Sequence, residues 1–143
     1  MARGSGKYAK WKRTGFFARV ELEVADIEGA DVTFDCQGRG FYSQGYIEEA
    51  TPEGYADWKD GAAAGVAFAF RLLKAKSRSV TIIKIEGLGT DTSPAAVGAA
   101  AVLAVLDALK IPAPDGLPSQ LDQIVFSGDL DGPDPSGQLD HGS

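Results

Sequence analysis

Residues 89–106 read GTDTSPAAVGAAAVLAVL, and this stretch decides the fold because a polar helix start directly precedes the most apolar run of the chain. Ser93 is a residue type that caps helices, and Pro94 follows at the first helical position, which proline favours. The stretch predicts a helix from Pro94 to about Leu109. Since this helix is apolar all round apart from Asp107, we expect it to be buried on most sides or to self-associate.

Asp91, Thr92 and Ser93 at this helix start have two interpretations. In the first, Ser93 caps the helix and Thr92 or Asp91 accepts another free N–H of the first turn. In the second, the same hydroxyls and N–H groups bind an anion or phosphate. Asp91 argues against the second, since its carboxylate would repel an anion. No second acidic residue lies close enough in sequence to complete a metal site with Asp91.

The residues before this helix predict strands and one further helix. Phe17–Val24 and Val32–Cys36 alternate between apolar and polar residues, which is typical of half-buried strands, and we expect them to form an antiparallel pair. Val80–Glu86 predicts another strand, because it is rich in β-branched residues. The residues expected to face inward in the first two strands are Ala18, Val20, Leu22, Val24, Val32, Phe34 and Cys36.

A long helix is predicted between these strands, from Thr51 to about Lys74. Thr51 is a hydroxyl cap, and Pro52 and Glu53 suit the first turn. Gly61 and Gly65 lie on one side of this helix and are expected to allow close approach to the sheet. The apolar face comprises Trp58, Ala62, Gly65, Val66, Ala69, Leu72 and Leu73.

The element order predicts an α+β fold. We expect a two-layer sandwich with a mostly antiparallel sheet of three to four strands, two helices on one face and the order βββαβα. Residues 121–126 predict one more short strand or helical turn. The length of 143 residues fits a single domain, which we place at residues 13–126.

Charge is concentrated at the two ends of the sequence. Residues 1–13 hold five basic residues and no acidic one, whereas no Lys or Arg follows Lys110. We interpret residues 1–12 as a basic arm and residues 127–143 as an acidic, disordered tail. The alternatives are that the arm contacts phosphates locally or pairs with the tail. The net charge of −6 argues against a nucleic-acid footprint over the whole surface.

Several classes of site are not expected. His141 is the only histidine and lies in the tail, so Ser-His-Asp and Cys-His catalysis and zinc sites are not predicted. Cys36, the only cysteine, is interpreted as a core residue and fits a reducing compartment. No apolar run is long enough to span a membrane. We therefore expect a cytoplasmic protein without a metal or another cofactor.

Two groups of polar residues are left as candidates. The segment Gly38–Tyr46, GRGFYSQGY, is either a loop or a bulged third strand. Its side chains Arg39, Phe41, Tyr42 and Tyr46 either stack on bases or a partner surface, or pack in the core. Among the carboxylates, Glu48 and Glu49 with Glu53, or Asp57 with Asp60, either act as an acid–base pair or form a solvated face.

The stretch DTSPAAVGAAAVLAVLDAL resembles the helix start and Ala-rich helix of the fourth domain of translation elongation factor G. RTGFFARVELEV and VTFDCQG are similar to its first two strands, TPEGYADWKDGAAAG to its first helix, and SVTIIKIEG to its next strand. The resemblance covers about residues 13–109. It implies the fold shared with the second domain of a small-subunit ribosomal protein, including a left-handed βαβ crossover.

This chain departs from that pattern in its functional parts. The loop before the second helix, Gly87–Thr90, is short and lacks the histidine that approaches the decoding site in the factor. No GxxxxGK[ST] motif for nucleotide binding is present. The translocase activity therefore does not carry over.

The sequence predicts a non-catalytic binding module in a translation or RNA context. Its partner would be a protein, an RNA or a second copy of the chain, with Trp11, Phe16 and Tyr46 as apolar contacts in a homodimer. The alternative is a small enzyme of the same fold. Such an enzyme would act on a phosphorylated or sugar substrate through Asp91, Thr92 and the carboxylates around Glu48.

Overall fold

The computed structural model describes residues 2–11, 15–29, 31–41, 47–88 and 92–127. The described elements are β1 (Ala2–Trp11), β2 (Gly15–Glu28), β3 (Val32–Phe34), β4 (Gly40–Phe41), β5 (Glu48–Glu49), α1 (Ala56–Leu73), β6 (Arg78–Gly87), α2 (Pro94–Leu109) and α3 (Leu117–Ser127). The predicted α+β fold is confirmed, with a mixed sheet and a third helix, α3, where the sequence predicted a short strand or a helical turn. The predicted tail beyond Ser127 lies outside the described residues.

The strands form one sheet in the order β1-β2-β6-β5-β4, with β3 paired to β6 as well. All the pairs are antiparallel except β3 with β6, which is parallel. The described sheet has six strands rather than the three or four that we predicted. One face of the sheet carries the helices, and we call the other the open face.

The predicted antiparallel pairing of β2 with β3 is wrong, because β6 lies between them. The connection after β2 passes the start of β6, where the Gly29 N–H donates to the Ser77 carbonyl and the Val80 N–H donates to the Asp31 carbonyl. β3 consequently has a different inward pattern from the predicted one. Cys36 is buried as expected, but Phe34 is 38% exposed.

β1 was not predicted as part of the domain. Residues 2–11 pair with β2 along their whole length, from Ala2 opposite Val24 to Trp11 opposite Gly15. Gly4 and Gly6 face α2, and a Cβ on either would meet α2 backbone atoms of Ala104 and its neighbours. Glycine is therefore required where this strand crosses the helix. Residues 12–14, where the sequence placed the start of the domain, lie outside the described residues.

α2 is the centre of the core. Ser93 caps it as predicted, since its Oγ accepts from the Ala96 N–H at 3.1 Å. Val97 and Val105 are fully buried. The helix packs against α1, β1, β2 and α3. The predicted inward residues of β2, Ala18, Val20, Leu22 and Val24, are also fully buried. In the described part of the chain, no helix has the length and apolar character that crossing a membrane requires.

The N-cap of α1 is Tyr55, four residues later than the predicted cap at Thr51. Thr51 does not cap it, because Thr51 Oγ1 accepts from the Gly54 N–H at 2.8 Å and closes a turn instead. The Lys59 ammonium holds this turn by donating to the carbonyls of Thr51 and Pro52. The chain enters the helix through Tyr55, which has a left-handed backbone with φ of 63°.

Gly61 and Gly65 allow a close approach, but to α2 and not to the sheet as we predicted. A Cβ on Gly61 would meet the Pro94 carbonyl, and one on Gly65 would meet the Gly98 carbonyl. α1 and α2 therefore touch through their backbones. This geometry needs small residues on the facing side of both helices.

A β-bulge in β6 sets which side chains face the core. Leu22 pairs with Ile82 and Glu21 pairs with Lys84, so Ile83 has no partner in β2. The extra residue shifts the alternation by one position. As a result Val80, Ile82 and Ile85 are buried against the helices, while Lys84 lies on the open face. Without the shift, strict alternation would place Lys84 on the same side as Val80 and Ile82.

We expect Gly65→Ala to destabilise the protein, although alanine is the better helix former. The added methyl group meets the Gly98 backbone, and such overpacking costs about 1–3 kcal/mol. Ala67→Gly, at an exposed position of the same helix, measures the propensity effect alone, about 1 kcal/mol. Urea unfolding of both variants gives the free energy lost through overpacking at residue 65 and through helix propensity at residue 67. A Gly65→Ala protein that is more stable than the parent would contradict the backbone contact.

Deleting Ile83 should leave the protein folded, because the shortened strand keeps Val80, Ile82 and Ile85 inward in a regular ladder. We expect a loss below about 2 kcal/mol, within the range of ordinary single changes. The matched control is deletion of Ile85, which turns Lys84 toward the core and should prevent folding. Circular dichroism with thermal unfolding distinguishes the two. If both deletion variants fold, or neither does, the bulge does not determine which side chains of β6 face the core.

Candidate functional site

Two segments that the sequence singled out separately meet at one end of the sheet. Phe41 pairs with Glu48, Glu48 with Gly87, and Gly87 with Ala18, so β4, β5, β6 and β2 lie side by side there. The connections that follow Trp11, Phe41 and Leu88 all leave from this end. We call this end of the molecule the loop pole.

The loop pole contains part of the predicted binding set. Arg39 is exposed just before β4, Phe41 is in β4, and Thr92 and Ser93 lie at the start of α2. Tyr42, Tyr46 and Asp91 belong to the connections 42–46 and 89–91, which lie outside the described residues. The structure thus brings the described members of the two predicted groups to the same end of the fold.

Thr92 ties three elements together beneath the loop pole. Its hydroxyl donates to the Phe17 carbonyl at the start of β2 and accepts from the Leu88 N–H, 2.6 Å away, just after β6. The side chain is buried. Ser93 caps α2 next to it. The capping by Ser93 agrees with the structural interpretation of the sequence, whereas Thr92 accepts from Leu88 and not from an N–H of the helix's first turn.

Aromatic packing fills the space below the same end. A Cβ on Gly87 would lie 2.7 Å from Trp58 Cη2 and 2.7 Å from Thr92 Cγ2, so only glycine fits between them. Trp58 in turn packs against Tyr55, with ring centroids 4.7 Å apart and a tilt of 48°. α1, β6 and the start of α2 are thereby held in one rigid unit.

Tyr55 carries the most unusual geometry of this region. Its left-handed backbone is rare for an aromatic residue and is strained. Its phenol donates to Glu48 Oε2 at 2.6 Å. Burial, followed by the hydrogen bond to Glu48 and the charge of that carboxylate, raises the pKa of Tyr55 to about 12. Strained residues concentrate at functional sites, which makes this position a candidate that the sequence did not reveal.

Of the carboxylates that the sequence left as candidates, Glu48 and Glu49 do not face the same site. Glu48 and Glu49 are consecutive in β5, so their side chains lie on opposite faces of the sheet. Glu48 is bonded to Tyr55, while Glu49 lies beside Glu86 on the open face. Glu53, Asp57 and Asp60 are exposed. Within the described ranges, no three residues of the His, Cys, Asp and Glu types are placed to hold a metal ion.

The open face carries an ion-pair network that sequence reasoning missed. Arg19 lies 3.6 Å from Glu86 and 3.8 Å from Glu21, and Lys84 lies 3.3 Å from Glu86. The side chain of Glu86 is only 12% exposed although no described helix covers it. The hydrogen bond to Glu86 and the nearby carboxylates raise the pKa of Lys84, whereas partial burial lowers it. The bulge at Ile83 determines where this network lies, because it turns Lys84 to the open face, opposite Glu21.

A cleft of about 580 Å³ lies at the end opposite the loop pole. Its walls hold apolar residues from the ends of α1 and α2 together with two acidic and two basic residues. One ion pair, Lys76 with Glu28 at 3.2 Å, has both side chains mostly exposed. The lining residues are Asp26, Glu28, Phe70, Leu73, Ala75, Lys76, Arg78, Leu109 and Ile111.

Comparison with known proteins does not assign this chain to a family. A scan against models of protein families gives no match. A search of curated protein sequences also finds no match. The resemblance to elongation factor G therefore rests on the quoted residues alone and stays a prediction.

We expect the stability of the protein to fall as the pH rises from about 10 to 12. Tyr55 has a pKa near 12 when folded against an ordinary value of 10.0. The folded state therefore binds the phenolic proton more tightly, and this stabilisation is complete below about pH 10 and is lost as the pH rises toward 12. Glu48→Ala should lower the Tyr55 pKa, while Glu49→Ala, on the other face, should not. Carbon-13 NMR of the tyrosine Cζ atoms measures both, and equal values in the two variants would contradict the assignment.

Proposed function

We propose that the chain is a non-catalytic binding module that engages a macromolecular partner at the loop pole. The observation that carries the proposal is the pairing of Phe41, Glu48, Gly87 and Ala18 across four strands. This pairing brings together three connections that are far apart in the sequence. Loops held by a rigid scaffold are a common way of building a binding surface.

The composition of the three connections favours RNA over a protein as the partner. By sequence the first carries Lys12 and Arg13, the second carries Tyr42 and Tyr46 with Arg39 nearby, and the third has a single charged residue, Asp91. Arginine and lysine bind phosphates, and tyrosine rings stack on unpaired bases. The same residues fit the translation or RNA context that the resemblance implies. A cytoplasmic location, in keeping with the lone buried Cys36, is part of this proposal.

The scaffold below the loop pole supports this function. Thr92 is bonded to two backbone segments, and Gly87 fits closely between Thr92 and Trp58. A rigid base reduces the entropy lost on binding, because the flanking residues are already ordered. The strained Tyr55 and its bond to Glu48 lie in the same unit.

The alternative, a small enzyme, has one observation in its favour. The cleft at the opposite end holds two carboxylates, Asp26 and Glu28, beside Lys76 and Arg78. However, Glu28 pairs with Lys76 and both side chains are largely in solvent, whereas catalytic acids and bases are tuned by burial or by close neighbours. None of the carboxylates that the sequence singled out lines this cleft. The binding module is therefore the better-supported function.

Reversing charge at the loop pole should abolish partner binding. We expect Lys12→Glu with Arg13→Glu and Arg39→Glu to lose at least about tenfold in affinity for a labelled single-stranded RNA of mixed sequence, because phosphate contacts are lost. The measurement is fluorescence anisotropy at several salt concentrations, and the affinity of the parent chain should fall steeply with salt.

The matched control reverses three exposed cations elsewhere, Arg71, Lys74 and Lys110, and gives the same change in net charge. It should bind like the parent chain. Equal loss in both triple variants would show non-specific attraction and overturn the assignment to the loop pole. Nuclease-insensitive capture of a cellular partner that depends on the same three residues would identify a protein as the partner. Sedimentation of the chain alone tests self-association.

A further inference from the structure

α1 and α2 run side by side in the same direction. Gly61 of α1 lies against Pro94 of α2, and four residues further along both helices Gly65 lies against Gly98. The C-terminal ends of the two helices therefore reach the same end of the molecule. The cleft of about 580 Å³ lies there, between these helix ends and the sheet, and its volume is in the range of small-molecule sites.

Both helices end with the same cap, which leaves an apolar floor in the cleft. Lys74 and Lys110 have left-handed backbones with φ of 52° and 57°, and their charges offset the negative ends of the helix dipoles. The Ala75 N–H donates to the Phe70 carbonyl at 3.2 Å, and Ile111 makes the equivalent bond in α2. Caps of this type pack the residue after the helix against its last turn. The floor that results comprises Phe70, Leu73, Ala75, Leu109 and Ile111.

The sheet side of the cleft carries both signs of charge on separate strands. The end of β2 supplies the carboxylates of Asp26 and Glu28, whereas Lys76 and Arg78 lie at the start of β6. Glu28 and Arg78 are partners across the two strands, so the two signs are about 5 Å apart at the backbone. Because these four charges sum to zero, a ligand of a single sign would be attracted by one strand and repelled by the other.

The ion pair within the cleft can open to a ligand. Lys76 and Glu28 lie 3.2 Å apart, but their side chains are 83% and 69% exposed. Such exposed pairs contribute little to stability, because water screens the charges and both side chains lose freedom. A ligand with groups of both signs replaces the pair without leaving either charge unpaired. Its apolar part would cover Ile111, which is 37% exposed, and removing this surface from water favours binding.

We propose that the cleft binds a short apolar peptide with free ends, namely a dipeptide in its zwitterionic form. The peptide ammonium group lies against Asp26 and Glu28, its carboxylate lies against Lys76 and Arg78, and one side chain packs on the cap of each helix. Two extended residues span about 7 Å, which is enough to place the two ends over neighbouring strands. This inference concerns the end opposite the loop pole and does not rest on the proposed function.

NMR titration of the full chain with four forms of dileucine tests the proposal. The forms are the free dipeptide, the N-acetylated one, the C-terminal amide and the doubly blocked one, which share their side chains and differ in charge. We expect the free form to shift the Ala75, Lys76 and Ile111 amides with a dissociation constant of about 1 mM or below. Blocking either end should weaken binding at least about threefold, since one strand then loses its charged partner.

Two charge variants assign each end of the peptide to its strand. Asp26→Asn with Glu28→Gln should bind the free and the acetylated forms equally, yet still prefer the free form to the amide. Lys76→Gln with Arg78→Gln should show the reverse pattern. A general loss of structure would weaken all four forms together and cannot produce this crossed pattern. If both double variants keep the preferences of the parent chain, the proposal is overturned.

A matched pair of variants tests the apolar floor. Ile111→Ser should weaken all four forms at least about threefold, whereas Ile27→Ser, at a position that is 70% exposed and outside the lining, should bind like the parent. Equal loss in both overturns the proposal. It is also overturned if the cleft amides of the parent do not shift, or if the doubly blocked form binds as tightly as the free one. Acetylated dileucine that matches the free form would indicate a site for anions and overturn the proposal as well.

Discussion

The close approach of backbones around α2 is the constraint on which the rest of the structure depends. Gly61 and Gly65 bring α1 onto one side of α2, and Gly4 and Gly6 bring β1 onto another. α2 can accept both because its buried side chains are mostly alanine and valine. The helix is thereby surrounded by main chain as well as by side chains, and the protein gains dense packing without large residues at these crossings.

This mode of packing explains which elements could be predicted from the sequence. α2 and β2 carry strong local signals, a capped start and a clean alternation, and both are confirmed. β1 carries no such signal, because Gly4 and Gly6 bury backbone against α2 and leave no apolar side chains to form a pattern. Its basic residues lie on an edge strand, where charge discourages unwanted pairing, and they suggested a solvated arm instead.

The candidate site was predictable only in pieces. The sequence singled out Arg39 and Thr92, but their common position depends on β6 lying between β2 and β5, which is set by pairing over long distances in the chain. The start of α1 was misplaced because Thr51 closes a turn as readily as it caps a helix. The strain at Tyr55 has no sequence signature at all. The sequence did not reveal the ion-pair network, because strict alternation would place Lys84 toward the core, whereas the bulge at Ile83 places it on the open face.

The residues that pack around α2 and stabilise the fold differ from those on the surfaces proposed for binding a macromolecular partner. The open face lies on the far side of the sheet from the contacts between α2 and the glycines, and the loop pole lies beyond the start of α2. Their polar groups are held by local bonds, such as those of Thr92 and Glu86, and not by core packing. A fold that concentrates its stability in one central helix leaves its surfaces free to acquire a partner.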